Sequence, residues 1–419
     1  MDNRVPAAVA GDAPALKRSI SMSMIVLYGL GTTIGAGIYV LIGKVAAVAG
    51  LYMPVAFIIA SILAVFTVFS FAELAARFPM SAGEAVYLHE AFGIRWLSLG
   101  IGLSVMFAGL ISAAAISRGF VGYLHEFALI PEPVAVIALV ASLGALAAWG
   151  ITESITVAVF ATLLEIGGLV FVLWASRGSF AALPDQLPAL LPSFQMAEWS
   201  GILAGAILAF YAFIGFEDMV NVAEEVTDVR RNLPRAMILT LTITSILYIG
   251  LALAATLGLP IAELASSDAP LALLVERHAG ASAAQIISAI ALVAVLNGAL
   301  IQIVMAARVV YGLAMQQWLP ACLASIHPYF RTPLLATALT TGCVMVFALW
   351  LPLATLAEVT SFLTLFVFAA VNFSLFRIQR RSRAPEGIMT VPAWVPVAGF
   401  VASVGVIILR GADMAFSGQ

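Results

Sequence analysis

The chain alternates long apolar runs with short breaks that carry charge, and the runs are too long for the core of a soluble domain. Segments 19–43, 45–72, 236–262, 279–307 and 387–409 contain no Asp, Glu, Lys or Arg. A helix needs about 20 apolar residues to cross the hydrocarbon core of a bilayer, so each run reads as membrane-spanning. With turn residues and charges as boundaries, the chain divides into eleven spans: 20–48, 52–77, 94–123, 133–150, 154–176, 199–225, 235–258, 280–312, 332–350, 353–377 and 390–410. Segment 261–278, behind Pro260, reads as a loop with a short helix. The pattern predicts an all-α polytopic membrane protein. Composition agrees, with 63% hydrophobic and 10% charged residues, against about 25% charged in soluble proteins.

Charge placement orients the spans. With the N-terminus in the cytoplasm, fourteen of the 19 basic residues fall inside, and Lys44, Arg118, Arg177, Arg277 and Arg410 fall outside. That is the excess the positive-inside rule expects, and an odd number of spans puts the C-terminus outside. Residues 1–17 are polar and lack the apolar core of a cleavable signal. The tail 1–19 is therefore read as cytoplasmic, and a plasma-membrane location follows from a bacterial resemblance given below.

Two spans are built to break. Span 1 carries Gly29, Gly31, Gly35 and Gly37 within nine residues, and each glycine costs about 1 kcal/mol relative to alanine inside a helix. Unwound backbone at membrane depth frees N–H and C=O groups that protein, water or ligand must satisfy. The N–H groups opening the second half-helix form an anion site, and the carbonyls closing the first suit an ammonium. One break thus serves both ends of a zwitterion. In span 6, Gly215 is followed at once by Glu217 and Asp218, a second place to break. Paired interruptions in corresponding spans of two halves point to a transporter site. Here 20–176 (spans 1–5) and 199–377 (spans 6–10) form inverted repeats, joined by an extracellular loop 177–198 and followed by 378–419, a cytoplasmic loop with span 11 and the C-terminal tail. The alternative for the glycines is close helix packing.

At these residues the chain resembles the amino acid–polyamine–organocation transporters, and most of all their cationic-amino-acid-transporter-like bacterial permeases. The matching stretches are Gly31-Thr-Thr-Ile-Gly-Ala-Gly-Ile38, Phe71-Ala-Glu-Leu-Ala-Ala-Arg-Phe-Pro79, Ser81-Ala-Gly-Glu-Ala-Val-Tyr87, Phe213-Ile-Gly-Phe-Glu217, Ala223-Glu-Glu225, and Arg308 through Trp318-Leu-Pro320. The resemblance implies a leucine-transporter-type five-plus-five inverted repeat working by alternating access. It implies a substrate carboxylate at the N–H groups of Gly35, Ala36 and Gly37, and an α-amino group at the carbonyls of Thr33, Tyr211 and Ile214. Phe213 resembles the aromatic that shields the substrate, and Gln302 falls near its side chain. Members commonly have twelve spans, whereas this sequence gives eleven.

Charged groups in the spans carry the remaining expectations. Glu165 lies near the middle of span 5, where a charge costs about 2.5–3.5 kcal/mol on insertion scales. It reads as a proton-coupling group or as a permanently protonated acid bonding a neighbouring helix. Some relatives carry a lysine there that stands in for sodium, so glutamate reverses the charge logic. Glu217 resembles a family acid implicated in proton sensing, or else caps the second half-helix. Glu73 with Arg77, and Glu224 and Glu225 beside Arg230, read as a gate or as plain cytoplasmic ion pairs. Sodium-coupled relatives of this fold typically use hydroxyls on helix 8, and Met305-Ala-Ala-Arg308 offers none, so the resemblance favours proton coupling or exchange over sodium.

Other classes find little support. Cys322 and Cys343 lack metal-ligand spacing, the four histidines fall in loops or at span ends, and no basic run with interleaved aromatics exists for nucleic acid. No cofactor, metal or enzyme chemistry is expected. The expected partners are an amino-acid substrate, protons and the bilayer, with neutral or broad side-chain preference. An amino-acid sensor without flux is the competing reading.

Overall fold

A computed structural model describes residues 20–80, 83–149, 155–315, 319–327 and 332–417. The tail 1–19, Ser81, Trp318 and the side chains of Ala36 and Glu224 lie outside the described residues.

The expected break in span 1 separates α1 (Met22–Ile34) from α2 (Ala36–Ala49). Span 2 is α3 (Met53–Arg77), followed by a surface helix, α4 (Gly83–Phe92). Then come α5 (Arg95–Leu124), α6 (Glu132–Trp149), α7 (Ile155–Ala175) and the loop helix α8 (Leu183–Leu190). Span 6 also divides, into α9 (Met196–Tyr211) and a 3-10 helix, Phe216–Glu225. The second half is thus wound more tightly than the α-helix the sequence led us to expect. Next are α10 (Val229–Gly258), two short helices α11 (Ile261–Ser266) and α12 (Pro270–Ala279) in the predicted loop, and α13 (Ala281–Met315). The chain ends with α14 (Leu334–Trp350), α15 (Leu353–Arg381) and α16 (Trp394–Ser417). Among the described residues the only β-pairing is one bridge, Ile20 to Val226.

Among the described residues, eight helices are long and apolar enough to cross a bilayer, or nine with a bent pair beginning at Phe160 counted as one, and Leu334–Trp350 is shorter than the rest. Met22–Arg77, 56 residues long, is enough for two crossings. Spans pack against their counterparts five spans later: α3 on α10, α5 on α13, α6 on α14, and α2 on α9. This is the pairing that a two-fold relation between spans 1–5 and 6–10 would give. Two groups result. One holds α1, α3, α9 and α10, and the other α5, α6, α13 and α14.

Polar contacts tie the first group to α15. Asn372 accepts from Ser70 Oγ (2.6 Å) and donates to Thr67 Oγ1 (3.0 Å). Glu73 is fully buried. It accepts Arg77 Nε (2.8 Å) and Nη2 (2.7 Å) on one oxygen, and Gln379 Nε2 (2.9 Å) and the Val391 N–H (2.7 Å) on the other. The pair lies along one helix and fastens α3 to α15 and to the segment before α16. Glu225 and Arg230 form no ion pair. The chain turns sharply between them at Asp228 (φ 43°), Arg230 is exposed, and the Glu225 carbonyl accepts the Ile20 N–H at 3.0 Å. Glu358, unassigned by sequence, accepts Arg410 Nε of α16 at 3.0 Å.

Removing one member of a buried pair strands the other's charge, at about 3–5 kcal/mol. Glu73→Ala should therefore lower the thermal unfolding midpoint in detergent sharply, and Glu73→Ala with Arg77→Met should recover part of the loss. An additive double variant would show that the two side chains do not act as a pair.

Candidate functional site

The two breaks face each other at the centre of the fold. Gly35 leaves the helical basin (ψ −151°) and starts α2. Gly215 sits at φ 129°, a conformation open to glycine alone among common residues, and a Cβ there would collide with the Thr32 carbonyl. A Cβ on Gly37 would lie 2.7 Å from the Ala212 Cα. Two glycines thus let the unwound stretches of spans 1 and 6 pass backbone to backbone. Their inner ends are tied as well, because Ile20 exchanges backbone hydrogen bonds with Glu225 and Thr227 (both 3.0 Å).

Between the breaks lies a chamber of about 30 Å³, lined in part by Thr33, Gly35, Gly37, Tyr211, Ile214, Asp218 and Gln302. It adjoins a vestibule of about 1180 Å³. Ser112, Ile214, Asp218 and Gln302 border both, forming the aperture between them. The vestibule opens on the arginine-rich side, past Glu84, His89, Glu90, Arg95 and Arg308. On the opposite side α11 and α12 lie against α2 and α5: a Cβ on Gly43 would stand 2.7 Å from the Leu264 carbonyl, a Cβ on Gly122 would collide with that of Asp268, and Lys44 reaches Asp268 at 3.5 Å.

The chamber brings together six of the eight expected binding residues. Ala36 contributes backbone only within the description, as the first residue of α2. Phe213 is fully buried against Tyr248, with ring centroids 5.2 Å apart, and does not line the chamber. The first N–H groups of α2 have no intrahelical acceptor, so the anion pole is present in backbone form. The carbonyl pole is partly occupied. The Thr33 carbonyl accepts the Tyr248 hydroxyl (2.9 Å) and the Tyr211 carbonyl accepts the Ile214 N–H (3.2 Å). The Tyr211 hydroxyl pairs with Ser112 Oγ at 2.9 Å.

Glu217, in the first turn of the 3-10 helix whose N-cap is Gly215, turns back to accept the Gly215 N–H (2.8 Å). Its neighbour Asp218 is the carboxylate at the aperture. Sequence reasoning passed over it because the stretch that resembles the family ends at Glu217, and only the tighter winding after Gly215 brings its neighbour to the chamber. Glu165 is fully buried and lines neither space. Tyr39 donates to its backbone carbonyl (2.9 Å), and its carboxyl lies within electrostatic reach of Tyr39 and Tyr248.

This arrangement, two apposed helix breaks enclosing a small polar chamber, extends over a chain whose residues 19–413 match the family profile described as amino acid permease. The chain belongs to the amino acid permease family. It is similar to the branched-chain amino acid permease BcaP of Bacillus subtilis, with 26% identity over 90% of this chain and 83% of the relative. The methylthioribose transporter of the same organism is 26% identical over 93% of this chain and 87% of its own length. The vacuolar cationic amino acid transporter 4 of Arabidopsis thaliana is 30% identical over 91% of this chain and 66% of its own. Membership makes the protein a membrane transporter of amino acids or related substrates and not an enzyme.

Glu84, on α4 outside the spans, is buried on the vestibule wall. Burial pushes its carboxyl up to about 7, the nearby Asp218 adds to the rise, and its own backbone N–H opposes it. A carboxyl raised in the folded state favours folding while protonated, so its contribution is complete below the unfolded value. It declines as pH rises to about 7 and is flat above. Thermal unfolding midpoints should fall across that interval by the equivalent of about 2–3 kcal/mol, and Glu84→Gln should flatten the profile. An unchanged slope in the variant would exclude Glu84 as its source.

Proposed function

We propose that the protein is a secondary transporter that moves L-amino acids by alternating access, coupled to protons or by exchange, and that its structure is the inward-facing state. The observation that carries this reading is the pair of breaks at Gly35 and Gly215 around a chamber that opens through one aperture to one side. The substrate carboxylate meets the N–H groups of Gly35, Ala36 and Gly37. Its ammonium meets the carbonyls of Ile214, Thr33 and Tyr211. The side chain extends toward Asp218 and Gln302. Phe213 can act as a shield only by leaving Tyr248. The basic residues around the vestibule support a cytoplasmic N-terminus and a bacterial plasma membrane.

Glu165 is the proposed proton-coupling group, because it sits fully buried beside two tyrosines that reach spans 1 and 7. Glu217 serves span 6 as a cap and contributes to coupling through that segment. Glu73 and Arg77 hold the inner ends together, and gating is carried by the vestibule walls. Relatives named for branched-chain amino acids, methylthioribose and cationic amino acids support a shared backbone site with a variable side-chain pocket.

Uptake of a radiolabelled amino-acid panel into proteoliposomes, with and without an inward proton gradient, tests this. Saturable uptake should rise with the gradient in wild type and lose that dependence in Glu165→Gln. Uptake that requires internal amino acid identifies an exchanger. Binding without flux would favour a sensor, and neither binding nor flux would contradict the substrate class.

A further inference from the structure

Thr33 closes α1 with its side chain already committed, since Oγ1 donates to the Gly29 carbonyl at 2.8 Å. Its own carbonyl is among the last four that an α-helix leaves without an intrahelical donor. The donor it receives comes from span 7, 215 residues away, where the Tyr248 hydroxyl lies at 2.9 Å. Two rings hold Tyr248 in this direction. It is fully buried, edge-on to Phe213 (5.2 Å) on one side and Phe57 (6.3 Å) on the other. The hydroxyl therefore sits at the carbonyl pole, on the acceptor assigned above to the substrate ammonium.

Resting on the amino-acid reading, we propose that Tyr248 is the positioning residue of the ammonium pole: its hydroxyl stands in for the substrate's ammonium at the Thr33 carbonyl, and binding and release exchange one donor for another. The physical consequence is specific. A buried carbonyl left without a donor is costly, so without Tyr248 the empty site would carry a penalty that only the substrate relieves. With the hydroxyl present, the empty state is satisfied and release proceeds without stranding the end of α1. Tyr248 thus weakens substrate binding and speeds turnover. Phe213 packs on the same ring, so a shift of Tyr248 on substrate arrival would also free the aromatic that must move to cover the site.

The test uses the purified full chain with L-leucine, L-alanine and L-arginine as probes. The matching acids without the α-amino group (4-methylpentanoate, propanoate and 5-guanidinopentanoate) serve as competitors. Tyr248→Phe should lower Kd for the amino acid that binds by about three- to tenfold and reduce its turnover in proteoliposomes by a similar factor. The inhibition constant of the des-amino competitor should stay unchanged. Tyr248→3-fluorotyrosine, a stronger donor of nearly the same shape, should raise Kd and guards against a variant that fails to fold. An unchanged or raised Kd in Tyr248→Phe, an equal shift for the des-amino acid, or a lowered Kd with fluorotyrosine would overturn the proposal. Failure of the wild type to bind any of the three probes would instead overturn the amino-acid reading itself, before any variant is compared.

Discussion

Every backbone N–H and C=O at membrane depth needs a partner, and this fold is organised around the two places where helices cannot supply one. An intact helix satisfies its own backbone in lipid. A broken one must be surrounded by protein or face a polar space. Spans 1 and 6 break at Gly35 and Gly215 and are placed against each other, so that each covers part of the other's exposed backbone. Gly215 lies on the Thr32 carbonyl and Gly37 on Ala212. What remains uncovered faces the chamber. The helix ends there concentrate partial charge of both signs on main-chain groups, which suits a ligand that carries both charges.

The two packing groups give this pair of breaks something to move against. The group of α1, α3, α9 and α10 carries both broken spans, and the group of α5, α6, α13 and α14 supplies Ser112 and Gln302 from the facing side. The aperture is therefore a seam between the two groups of helices, and under the alternating-access proposal a change in their relative tilt would open or close it. The clamp around Glu73 joins α3 to α15 and the segment before α16, so those helices follow the first group at its inner end. Three acids, Glu84, Glu217 and Asp218, line the vestibule together with Arg95 and Arg308, so both signs of charge border the path to the chamber.

The parts of this arrangement that depend on one stretch of chain were legible beforehand. Glycine spacing located the break in span 1, the Gly-Phe-Glu-Asp run located the one in span 6, and apolar length placed the spans to within a few residues. The parts that depend on which helix lies beside which were not. Tyr248 reaches Thr33 across 215 residues, and Tyr123 donates to the Tyr39 carbonyl at 2.6 Å across 84, and no local pattern encodes such contacts. Glu73 and Arg77 were visible as an i, i+4 pair. Their anchoring role depends on Gln379 and Val391, more than 300 residues away. Between Glu225 and Arg230 the chain changes direction for a local reason. The segment is a 3-10 helix ended by a left-handed turn at Asp228, and proximity in sequence did not become proximity in space.

The central claim is that main-chain groups at the break in span 1 hold the ligand's charged ends. A cryo-electron microscopy structure of the protein with a transported amino acid tests it most directly. The account predicts the carboxylate within hydrogen-bond distance of the N–H groups of Gly35, Ala36 and Gly37, and the ammonium turned to the carbonyls of Ile214, Thr33 and Tyr211. A ligand held by vestibule side chains alone, with the backbone at Gly35 left unengaged, would contradict it.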